Sequence, residues 1–136
     1  MDDDRTLVLV SGAQLSTGIG GLALALRRRH PYDIPLMHGR RDTVGRQSLL
    51  MGTALSAPGA MLAVQAVATA VLARRHSVRA AQALGVLGAM MVPGYLVEGL
   101  TRQGLRHGAW DSAELRLALA GAALAAGMVP LAARAV

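Results

Sequence analysis

The chain's 136 residues make one domain, and 53% hydrophobic against 16% charged residues set it apart from ordinary soluble domains. The formal charge of +6 comes from 14 basic residues, all arginine; they sit at the ends of apolar runs rather than on one polar face, and only one Trp and two Tyr could stack on bases, which argues against nucleic-acid binding. The absence of cysteine excludes disulfides, thiolate chemistry and Cys-ligated zinc.

Four apolar runs are long enough to cross a hydrocarbon core of about 30 Å, which takes a helix of about 20 residues. They cover Thr6 to Leu26, Leu49 to Ala73, Ala80 to Thr101 and Ala113 to Ala133. An open sheet in lipid would leave backbone groups unpaired, so each run is expected to be a helix. The expected fold class is all-α: an integral membrane four-helix bundle with antiparallel neighbours, forming a single transmembrane domain over residues 1–136. Mean hydropathy is only +0.40 because the arginines crowd the connections.

The start, Met1-Asp2-Asp3-Asp4-Arg5, is acidic where a secretory signal would be basic, so the first run is expected to stay as a span. Small residues spaced by four recur in it (Ser16 with Gly20, Thr17 with Gly21), in the third run (Ala81, Gly85, Ala89) and in the fourth (Ala118, Ala122, Ala126). Such spacing predicts packing seams, between helices of one chain or between two copies in a homo-oligomer.

The first connection, Arg27 to Gln47, is long, and Pro31 and Pro35 forbid a regular helix through its first half. Arg27, Arg28 and Arg29 suit anionic lipid headgroups. Asp33 and His38 are candidate catalytic groups in a loop that could act as a lid; the simpler reading gives Asp33 an Asx-type turn with Pro35. His38 and Asp42 lack a third ligand at metal-site spacing, so no metal and no cofactor are expected. The second connection, Arg74 to Arg79, reads as a plain turn. In the third, Asp111 or Ser112 is placed to cap the last helix, with Glu114 in its first turn.

Arginine placement sets the expected orientation. Connections one and three hold Arg27, Arg28, Arg29, Arg40, Arg41, Arg46, Arg102 and Arg106, with Arg116 beside them; Arg5, Arg74, Arg75, Arg79 and Arg134 lie on the other side. That excess puts the first and third connections in the cytoplasm and both termini outside, in a bacterial-type plasma (inner) membrane.

Glu98 is the one carboxylate inside the third run, and an ionisable group at membrane depth marks a candidate site. Met91, Tyr95, Glu98 and Arg102 follow spacings of four, three and four and so share one helix stripe. At 1.5 Å per residue Glu98 lies about 6 Å from Arg102, near one surface. The bland reading is an interfacial ion pair that ends the helix. The functional one makes Glu98 a general acid or base, oriented or polarised by Tyr95 and Arg102. Thr53 and Ser56 from the second run, Met91, Trp110 and the deeper Gln14 would line a substrate pocket at that mouth.

The layout resembles the small multidrug transporters, also short four-helix proteins with one membrane carboxylate. Here the carboxylate is in the third run, and the aromatic lining for lipophilic cations is missing. The leading expectation is a protein that binds a lipophilic small molecule and performs isomerisation, cyclisation or epoxide opening on it. A proton-coupled transporter or exporter and a non-catalytic membrane subunit are the alternatives.

Overall fold

The computed structural model describes residues 2–28, 33–34, 37–38, 59–97, 105–108 and 113–136. Four long helices dominate them: α1 (Asp2–Arg28), α2 (Gly59–Arg74), α3 (Val78–Val97) and α4 (Ala113–Arg134), with one further helical turn at 105–107. Between α1 and α2 two short strands, β1 (Asp33–Ile34) and β2 (Met37–His38), pair antiparallel with Asp33 opposite His38. The architecture is all-α apart from this small ladder. The ladder suits the loop's prolines, which exclude helix but leave extended backbone open.

α1 begins four residues before the apolar run. Asp2, Asp3 and Asp4 occupy its first turn, where carboxylates favour the positive end of the helix dipole. α3 starts at Val78 because Ser77 caps it: the Ser77 hydroxyl accepts the Ala80 N–H at 3.3 Å and its carbonyl accepts that of Ala81 at 3.0 Å. Pro93 lies inside α3, and the helix continues past it to Val97. Pro93 is exposed and supplies no N–H for the Ala89 carbonyl four residues before it.

Each helix packs on two others, in the cyclic order α1, α2, α3, α4, with α1 also touching α3 across the diagonal. Among the described residues the buried positions of α1 are Leu7, Ser11, Gln14, Gly18 and Gly21, and those of α3 include Ala81, Leu84, Gly88, Met91 and Tyr95. Both sets alternate steps of three and four, the spacing of helices that cross at a shallow angle. A strict step of four rotates about 40° further round the helix each time. That drift turns some of the expected seam residues away from the other helices of the chain. Ala89 and Ala126 have turned outward and are exposed, as are Ser16 and Gly20.

The tightest seam is α3 against α4, which run antiparallel. A Cβ on Gly88 would lie 2.5 Å from the Ala125 carbonyl oxygen, and one on Gly85 2.7 Å from the Ala132 Cβ. Only glycine permits backbones this close. Leu7, Leu72, Ala81, Leu84, Met128 and Ala132 form one apolar cluster towards the chain ends and the α2–α3 turn. Leu62, Leu87, Met91, Tyr95, Ala118 and Ala125 form a second, farther along.

His76 in the α2–α3 turn and Asp4 in α1 meet at 2.6 Å, Nδ1 to Oδ2, and tie the start of α1 to that turn. The outward surface is apolar along the helices: Leu9 is 73% exposed and Val67 65%. α1, α3 and α4 are each long and apolar enough to cross a membrane, consistent with a membrane protein.

Candidate functional site

Between the two apolar clusters lies a layer of polar side chains. Ser11 and Gln14 share one face of α1, three residues apart, and Gln65 and Thr69 share one face of α2, four apart. Ser11, Gln14 and Gln65 are completely buried. Such groups are costly between apolar walls unless hydrogen-bonded, and most here are.

The donor directions follow from Ser11. Its backbone carbonyl can only accept, so the Gln65 side-chain atom 3.1 Å from it is the amide nitrogen, Nε2. The same nitrogen lies 2.7 Å from Gln14 Oε1, 3.2 Å from Ser11 Oγ and 3.9 Å from Met128 Sδ. With two hydrogens it satisfies two of these four acceptors fully. Gln14, presenting its oxygen to Gln65, turns its own Nε2 to the Tyr95 hydroxyl at 3.4 Å. On the other side Thr69 donates to the Gln65 carbonyl at 2.8 Å, so the 2.7 Å contact between Ser11 Oγ and Thr69 Oγ1 has Ser11 as donor.

Of the capacities left over, two lie on the most prominent groups. Gln65 Oε1 is buried with no partner. The Tyr95 hydroxyl accepts from Gln14 and keeps its own proton to donate. The Tyr95 ring is held by α4: a Cβ on Gly121 would sit 2.9 Å from both its Cζ and its hydroxyl oxygen. An unpartnered carbonyl oxygen and a spare phenol proton, in an apolar interior, suit a molecule carrying its own hydroxyl or carbonyl.

Three of the residues singled out in the sequence come together here. Gln14 and Tyr95 bond directly, and Met91, one turn before Tyr95, is buried in the same apolar cluster. Asp33 and His38 are backbone partners across the β1–β2 ladder. Glu98, Arg102, Thr53, Ser56 and Trp110 lie outside the described residues. Ser11 and Thr69 were not among the expected site residues, and Gln65 reads from sequence only as an interhelical hydrogen-bonding group. Their signal is the spacing of polar residues by three or four inside otherwise apolar runs. Among the described residues no three His, Asp or Glu side chains gather as metal ligands.

No protein-family model matches this chain, and no curated protein or solved structure matches it.

Proposed function

We propose that the chain is a four-helix membrane protein that binds a lipophilic small molecule bearing a hydroxyl or carbonyl group, and that Glu98 performs acid/base chemistry on it. The observation that carries this reading is the orphaned Gln65 Oε1, buried without a hydrogen-bond partner in a helix interior that is otherwise largely apolar. The ligand's hydroxyl donates to Gln65 Oε1, and the Tyr95 hydroxyl donates to the ligand's oxygen and polarises it. Glu98 follows Tyr95 by three residues, hence one helical turn if α3 continues, and is the nearest carboxyl in sequence to that oxygen. Isomerisation, cyclisation or epoxide opening needs little beyond such an acid, a polarising donor and exclusion of water. The arginine distribution orients the first and third connections towards the cytoplasm of a bacterial-type inner membrane.

The test is a pair of ligands in which a methyl group replaces the hydroxyl hydrogen, removing the donor and keeping the oxygen. The detergent-solubilised protein is titrated with a long-chain alcohol and with its methyl ether. One net hydrogen bond predicts that the alcohol binds about fivefold to tenfold more tightly; equal affinities overturn the reading.

A second reading has its own support. Ser11, Gln14 and Thr69 are all hydrogen-bonded within the chain, as in a layer that only joins helices. The protein is then a non-catalytic membrane subunit. That reading predicts equal affinities for alcohol and ether, together with a loss of stability on replacing Gln65.

A further inference from the structure

On the outer side of α2 and α3 runs an open groove of about 480 Å³. Val64, Val67 and Val71 wall it on α2, the small side chains Ala80 and Ala83 floor it on α3, and Ser77 and Arg79 stand at its polar end. We propose that this groove holds one acyl chain of an anionic phospholipid whose phosphate is bound by Arg79 and Ser77. The inference rests on the membrane reading of the chain but not on the internal polar layer.

The groove's length fits one leaflet. From Ala63 to Val71 is about 12 Å at 1.5 Å per residue, against about 15 Å for half of a 30 Å hydrocarbon core. Its walls are exposed, Val67 at 65% and Val64 at 52%, so it opens outward to where lipid chains lie. Its end carries positive charge: Arg79 is exposed, and among the described residues it meets no carboxylate. The guanidinium fork matches two phosphate oxygens. The Ser77 hydroxyl accepts the Ala80 N–H, which leaves its proton free to donate to the same phosphate.

Charge around the groove's end favours an anion. Arg5, Arg74, Arg75 and Arg134 lie on the same side of the molecule as Arg79. The acidic groups there are Asp2, Asp3 and Asp4 in the first turn of α1, of which Asp4 is engaged by His76. A zwitterionic headgroup would set its own cation against Arg79, whereas a phosphatidylglycerol headgroup sets only its phosphate there.

The experiment reconstitutes the full chain in nanodiscs of phosphatidylcholine and phosphatidylglycerol and counts retained lipids by native mass spectrometry. Alkaline carbonate extraction of cell membranes runs alongside; release of the protein by carbonate overturns the membrane reading itself. For a membrane-retained protein the expected result is one phosphatidylglycerol retained in preference to phosphatidylcholine. Arg79→Gln lowers that preference roughly fivefold, the weight of one arginine near an anionic surface. Arg75→Gln, which removes the same charge outside the groove, lowers it clearly less, because that charge acts on the surface without touching the bound phosphate. Ala83→Phe, filling the groove with Arg79 intact, reduces retention as well. Equal retention of the two lipids by the wild type, or equal loss in the two arginine variants, overturns the proposal.

Discussion

Gln65 on α2 and Gln14 on α1 meet end to end, Nε2 to Oε1 at 2.7 Å, with neither side chain reaching the surface. With Gln65 Nε2 fixed by the Ser11 backbone carbonyl, this contact turns the Gln14 amide nitrogen towards Tyr95 and leaves Gln65 Oε1 unspent. Replacing Gln65 by Leu removes the contact together with the bonds to Ser11. Interhelical bonds of this kind contribute about 0.6 kcal/mol each and up to about 1.7. Gln65→Leu and Gln14→Leu are each expected to cost about 1 kcal/mol, and the double variant less than their sum. Unfolding in mixed micelles measures the cycle.

The glycines on the helices divide sharply. Gly88→Ala places a methyl 2.5 Å from the Ala125 carbonyl oxygen, so α3 and α4 must separate. Gly20 has nothing within 4 Å of where its Cβ would be, so Gly20→Ala gains helix propensity, about 0.5 to 1 kcal/mol. Gly88→Ala is expected to lower the melting temperature and Gly20→Ala to raise it, as read by thermal denaturation followed by circular dichroism.

Gly121 sets the position of the Tyr95 hydroxyl. Gly121→Ala pushes a methyl against the ring at 2.9 Å and moves the hydroxyl away from Gln14. Tyr95→Phe removes that hydroxyl and keeps the ring. Each variant is expected to weaken binding of the long-chain alcohol by about fivefold, and the pair together by little more than either alone, because both remove one donor.

The expected helices match well where they are described. α4 differs from its expected span by one residue, and the described part of α3 begins within two residues of the expected start. Length and apolarity suffice for that, because a run of about 20 apolar residues has few alternatives. The start of α1 is displaced since Asp2, Asp3 and Asp4 read as a polar tail until their helix-dipole role is considered. The polar layer was half legible: Gln14 and Tyr95 are prominent in the sequence, but their contact spans 81 positions and no local pattern encodes it. The Asp4–His76 contact, across 72 positions, was invisible for the same reason. Ala89 and Ala126 face outward because spacing by four drifts round the helix, so a seam at those two positions would have to join two copies of the chain.

Acid/base chemistry by Glu98 has its own consequence. Glu98→Gln keeps the size of the side chain and its capacity to hydrogen-bond but removes the titratable carboxyl. It is expected to leave binding of the long-chain alcohol within about twofold of wild type while abolishing turnover of any substrate identified by coextraction with the protein. Wild-type turnover in a normally folded Glu98→Gln protein contradicts that role.

The most direct test of the central claim is photolabelling in native membranes with a diazirine-bearing long-chain alcohol, followed by peptide mapping. Binding at the orphaned oxygen predicts that labels concentrate on α1, α2 and α3 around Gln14, Gln65 and Tyr95. Excess unlabelled alcohol should compete them away and the methyl ether should not, and Gln65→Leu should lose them while remaining folded. Labels spread over outward-facing residues such as Leu9 and Val86, or competition by alcohol and ether alike, would contradict the account.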